Sequence, residues 1–199
     1  MPLNAALLTE PALRSQRLNR ATHAAHEVLD GLVKAQAPFN NLEGFARFVT
    51  AQYWFQAELE PLYSDPRLVA RFPSLPECCR ATEALSDLRD LGVTPPVAPP
   101  GALVGLGLSE SLGWLFVSEG SKLGAAFLIK RAEALGLRAD HGARHLAEPP
   151  GGRAAGWKAF TQALDGLVLA DHEERLAEAG ALAAFERFTV LLQAAFARA

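Results

Sequence analysis

The chain has 199 residues, half of them hydrophobic and 21% charged, enough to bury one sizeable core and too apolar for a disordered or fibrous protein. A net charge of −3 at pH 7, with no run of lysine or arginine, excludes the basic footprint that nucleic acid demands. The two cysteines, Cys78 and Cys79, are neighbours poorly placed to bridge each other, no basic leader precedes an apolar stretch, and nowhere do about 18 consecutive apolar residues occur. These features predict a soluble cytoplasmic protein with no membrane span, one domain over 1–199, and a flexible N-terminal segment at 1–12.

In chain order, the first element is the stripe Leu18, Ala21, Ala25, Val28, Leu29, Leu32, whose three- and four-residue spacing predicts an amphipathic helix. Helices follow over 41–63, 66–71, 74–91, 109–136, 151–165 and 171–197, punctuated by Pro38, Pro66, Pro73 and Pro76. Sustained period-two alternation is scarce, so the fold class is all-α. The stretch GVTPPVAPPGALVG at 92–105 reads as a stiff extended connector, and HGARHLAEPPGGR at 141–153 as a loop. Phe45, Phe48, Tyr53, Trp54 and Phe55 recur at helical spacing and are assigned to the core.

Two segments carry chemistry. In LNRATHAAHEVLD, His23 and His26 lie one turn apart; His26 follows two alanines that leave room for a flat ligand, and Asp30, four residues on, can hold its imidazole N–H. A histidine merely satisfied by a neighbouring carboxylate is the ordinary alternative. With no HExxH and no CxxC, zinc lacks further ligands; with no CxxCH and Met1 the sole methionine, c-type and Met/His heme sites are disfavoured. A single axial histidine with an open sixth position suits heme iron and O2 or gas chemistry.

The second segment is SESLGWLFVSEGSKLGAAFLIKRAEALGL, where Gly113, Gly120 and Gly124 sit in the interior of a strong helical pattern at a cost of about 1 kcal/mol each relative to alanine. Close helix–helix packing would offset that cost, and so would contact with a planar macrocycle at a kinked helix. Under the second reading one helix supplies an axial ligand and the other the opposite, distal wall.

Together with FARFVTAQYWFQAELEPLY and GARHLAEPPGGR, these segments resemble the heme oxygenase family over most of residues 14–165, and within it the bacterial enzymes that take iron from heme. The resemblance implies a single-domain helical fold with heme sandwiched between a proximal and a kinked distal helix. Heme would be both cofactor and substrate, opened with O2 and reductant to biliverdin, CO and ferrous iron. It implies His26 as the iron ligand and Gly120 and Gly124 as distal-helix glycines. Ser121 stands where the animal enzymes carry an aspartate, and Arg80 matches a distal arginine that orders water. A flavin reductase or ferredoxin is the implied electron donor, with a heme-delivery protein as a further partner and a monomer as the assembly.

Asn19 takes the place of a basic residue that most members use for a heme propionate, and Phe116 stands where relatives of the usual specificity tend to have tyrosine. Lys34, with Arg131 and its neighbour Lys130, would then anchor the propionates. In the subgroup with this pattern the heme is rotated in its plane, which implies β/δ rather than α opening. A heme carrier or sensor without turnover, and a thiaminase-like enzyme using Cys78 or Cys79, are the competing readings. His141, His145 and His172 fall in or near loops and receive no role.

Overall fold

The structure, a computed structural model, describes residues 12–197 except 102 and 104; the predicted flexible segment therefore lies, but for Ala12, outside the described residues. Helix α1 (Arg14–Gln36) follows the predicted stripe but fully buries only Arg14, Leu18 and Thr22, all in its first half. Arg14 fixes its start. The buried guanidinium pairs with Glu174 at 2.8 Å and donates to the carbonyl oxygens of Leu164 and Leu167, partners enough to offset the loss of hydration. The helix ends at Ala37, whose left-handed φ of +46° leads into Pro38.

Helix α2 (Leu42–Tyr63) begins at Asn41, whose side chain accepts a bond from the Gly44 N–H at 2.7 Å. It runs through the core, burying Phe45, Phe48, Trp54 and Phe55 as their spacing predicts; Tyr53 is half-buried. The short α3 (Pro66–Val69) starts on Asp65. The helix predicted over 74–91 is split: a 3₁₀ turn at Leu75–Glu77 precedes α4 (Ala81–Asp90). The break has a tertiary cause, because the Arg80 N–H donates to Gln56 Oε1 at 3.0 Å instead of continuing a helix from the Pro73 and Pro76 region. Beyond α4, the proline-rich connector is pinned to the core by Trp54 Nε1 on the Pro96 carbonyl, 2.9 Å, and by Arg187 on the Pro99 carbonyl, 2.7 Å.

The longest helices, α5 (Leu108–Glu133) and α7 (Asp171–Ala197), cross where glycine meets glycine. A Cβ on Gly113 would stand 2.0 Å from the Ala177 carbonyl oxygen, and one on Gly180 2.1 Å from the Glu110 carbonyl oxygen. Both helices are long and apolar enough to cross a membrane by length and composition, yet 44% and 50% of their most apolar stretches are buried within the domain, as in core helices. Helix α5 runs unbroken through Gly113, Gly120 and Gly124, so the glycines do not interrupt it. Between α5 and α6 (Arg153–Asp165) lies the predicted loop, tightened by a 3₁₀ turn at Arg144–Leu146. No strand occurs among the described residues, only isolated bridges at Arg138, and the predicted all-α class holds.

Candidate active site

One face of α1, from Asn19 to Val33, borders a cavity of about 610 Å³, within the range of small-molecule sites. Asn19, Thr22, His23, His26, Leu29 and Val33 follow one another along its wall at helical spacing. Across from them stands α5, presenting Phe116, Gly120, Ser121, Leu123, Gly124 and Phe127. Phe48, Gln52 and Phe55 of α2, Trp157 of α6, and Phe185 and Phe188 of α7 complete the lining.

His26 and His23 are both on this wall and both face a carboxylate one turn on, His26 Nδ1 at 3.5 Å from Asp30 Oδ2 and His23 Nε2 at 3.6 Å from Glu27 Oε1. These are charge-pair distances, longer than a good hydrogen bond. What distinguishes His26 is the Phe185 ring, which meets the imidazole edge-on with centroids 5.8 Å apart at 70°. Asp30 lies on the Nδ1 side, which leaves Nε2 as the nitrogen available to a metal. Among the described residues no three His, Cys, Asp or Glu side chains gather to hold a metal ion; the cavity offers single imidazoles.

On the opposite wall the three α5 glycines divide. Gly113 is consumed by the α7 crossing. A Cβ on Gly120 would touch the Trp157 ring at 3.4 Å, an ordinary contact, and one on Gly124 would enter open space. The bare backbone at Gly124 thus borders the cavity, as a flat ligand lying close to the helix requires. Ser121 Oγ donates to the Ser118 carbonyl at 2.7 Å. Phe116 is buried, its ring 5.3 Å from that of Trp157. A slot between an imidazole and the bare backbone at Gly124, flanked by apolar and aromatic side chains, fits a heme.

The remaining predicted residues do not converge on this cavity. Lys34 and Lys130 are exposed outside its lining, and the Arg131 guanidinium lies 4.5 Å over the Phe39 ring. Arg80 pairs with Glu83 at 3.3 Å and lines a small cavity of about 40 Å³ behind α5, which shares Gln52, Ser121 and Leu128 with the large one. Sequence reasoning missed Gln52, Trp157 and Phe185: Gln52 lies among the aromatic residues of 41–63 assigned to the core, and Trp157 and Phe185 carry no local signal that sets them apart in their helices.

Beneath α5 a buried network joins Tyr63, Ser118, Gln56, Glu119 and Lys122: the Tyr63 hydroxyl lies 2.7 Å from Ser118 Oγ and donates to Glu119 at 2.8 Å. Burial, reinforced by the Glu119 charge, pushes the Tyr63 hydroxyl well above its ordinary pKa, so it remains a donor. Burial likewise pushes the Cys78 and Cys79 thiols up, the opposite of what a nucleophilic cysteine needs, and the thiaminase-like reading loses its thiolate.

Three comparisons bear on this geometry. The heme oxygenase family model matches residues 107–194. The chain is 54% identical over 190 residues to heme oxygenase PigA of Pseudomonas aeruginosa, covering 95% of this chain and 96% of that one. Among solved structures, the NO- and CO-bound heme oxygenase from Neisseria meningitidis matches with a TM-score of 0.89 and 36% identity over 95% of this chain and 94% of that one. Heme oxygenase from Leptospira interrogans, 19% identical, shares the fold with a TM-score of 0.72 over 94% of this chain and all of that one.

Proposed function

The chain belongs to the heme oxygenase family, and from that premise we propose that its cavity binds heme and opens it to biliverdin with release of CO and ferrous iron, using O2 and an external reductant. The observation that carries the reading is the cavity itself, with His26 on one wall and Gly120 and Gly124 on the other. When bound, heme supplies the iron at which O2 is reduced and is also the molecule oxidised.

The chain's own tasks follow from its residues. His26 would hold the iron through Nε2, with Asp30 and Phe185 orienting the ring. Gly120 and Gly124 let the distal backbone come close to the ligand, and the apolar lining excludes bulk water. Ser121 borders the distal side directly, and Arg80 lines only the small cavity behind α5, from which it would act through water.

The propionate contacts govern which edge opens. Asn19 and Phe116 both line the cavity, which supports a heme rotated in its plane and hence β/δ-biliverdin; Lys34, Lys130 and Arg131 lie outside the lining and would have to reach in to hold the propionates. The reading extends to a cytoplasmic monomer, supplied with electrons by a flavin reductase or ferredoxin and with heme by a delivery protein at the exposed rim formed by Leu123 and Phe127.

The deciding experiment is hemin titration of the wild type and His26→Ala, followed by reduction under O2 and chromatography of the bilin. We expect the substitution to change the heme spectrum and abolish ring opening, and the wild type to yield β and δ isomers. Unchanged spectrum and turnover in the variant remove His26 as ligand. A stable heme complex that never yields bilin turns the reading into a carrier, and exclusive α product ends the rotated-heme assignment.

A further inference from the structure

His145 sits in a segment that reads as a loop, yet it is more than nine-tenths buried. Its partner is Asp87 of α4, a carboxylate with no exposed surface. Asp87 Oδ1 accepts from the Arg144 N–H at 2.9 Å and from the Arg144 guanidinium at 3.2 Å; Oδ2 accepts from the His145 N–H at 2.9 Å and faces His145 Nδ1 at 2.8 Å. A carboxylate anion only accepts, so Nδ1 carries the hydrogen, and Nε2 is the ring nitrogen left facing the cavity.

That Nε2 is buried with no hydrogen-bond partner from the protein. Buried polar atoms are seldom left so. The ring lines the small cavity behind α5, of about 40 Å³, together with Gln52, Gln56, Arg80, Ser121 and Lys122, a volume and polarity suited to one or a few waters. Every element around it supplies a polar group: α2 the two glutamines, α4 Asp87 beneath the ring, α5 Ser121 and Lys122, and the turn before α4 Arg80. The two cations are turned to their own carboxylates, Arg80 to Glu83 and Lys122 to Glu119. Gln52 and Ser121 border both this cavity and the large one.

We propose that His145 is a positioning residue for the distal side: held by Asp87 as the Nδ1–H tautomer, it anchors through Nε2 water that Gln52 and Ser121 present to the heme cavity. The inference rests on the heme oxygenase reading, whose reaction consumes protons and therefore needs ordered water beside the substrate. It assigns the Asp87–His145 pair a purpose beyond tying the loop to α4.

Two measurements test it. In the heme-free protein, long-range proton–nitrogen NMR is expected to find His145 protonated at Nδ1 and unprotonated at Nε2, with a contact from Nε2 to a bound water; an Nε2–H tautomer overturns the proposal whether or not the protein turns over heme. In the heme-loaded protein, His145→Asn keeps a donor to Asp87 but has nothing at the Nε2 position, and His145→Gln puts an amide there at the expense of the Asp87 bond. We expect Asn to lower kcat about tenfold with hemin affinity unchanged, and Gln to recover part of the loss. A role confined to tying the loop gives the reverse order, Asn above Gln, and sinks the proposal. Absence of ring opening in the wild type is a failure of the functional reading alone.

Discussion

The two ends of α5 use the same residue for opposite purposes. At its N-terminal end Gly113 lets the α7 backbone approach to a distance that no side chain tolerates, with Gly180 answering from the other helix. Two turns later Gly120 and Gly124 face a cavity and a movable aromatic ring, and at Gly124 nothing in the protein needs the missing Cβ. A glycine in a helix has a fixed cost; whether it is offset by packing or by a ligand depends on what stands across from it.

The largest effect expected from this contrast is at the crossing. Gly113→Ala would place a methyl against backbone atoms of Ala177 and Ala181, which cannot yield as a side chain can, and should destabilise the fold by about 3 kcal/mol or more. Chemical denaturation measures it; a loss under about 1 kcal/mol would mean the helices separate easily and the contrast is false. Smaller and opposite in sign is Gly124→Ala. The methyl enters open space and the helix gains propensity, so stability should rise by up to about 1 kcal/mol while hemin affinity and turnover fall. A destabilised variant with unaltered hemin binding would show that Gly124 serves packing after all.

The smallest effect lies away from both ends, at the clasp between α4 and the loop before α6. The Arg144 guanidinium beside Asp90 holds its carboxyl below the usual carboxylate range, aided by the Gly142 N–H. A depressed carboxyl stabilises the fold above its unfolded-state pKa of about 3.9, and that contribution disappears as pH falls through the lower folded value. Asp90→Asn should therefore flatten the acid side of the stability profile and leave hemin binding at pH 7 untouched. An unaltered acid slope would dissociate the clasp from acid unfolding.

Much of the site is legible in the chain's own spacing. Helical period places His26 on a face with Asn19, and glycine spacing places Gly120 and Gly124 on another; the family resemblance joins the two faces across a heme, and both line one cavity. Phe116 is placed in the same way. The cations are harder to place: spacing assigns Lys34, Lys130 and Arg131 to helix faces, but their flexible stems and affinity for water leave their charged ends undetermined. Arg80 falls behind the distal wall because its backbone bonds to Gln56 and breaks the helix expected over 74–91. No local signal marks His145, since its partner Asp87 is 58 residues away.

By itself the sequence determined what short-range chemistry determines: the all-α class, the helix faces, the prolines that separate the helices, and the iron-ligand candidate with its carboxylate one turn on. Tertiary structure decided what depends on distant backbones meeting. It separated the packing glycine from the two that border the cavity, set Phe185 against His26 rather than His23, and buried His145 on Asp87 beside a smaller one. The reason is physical: periodicity tells which way a side chain points, and only the packed fold tells what it points at.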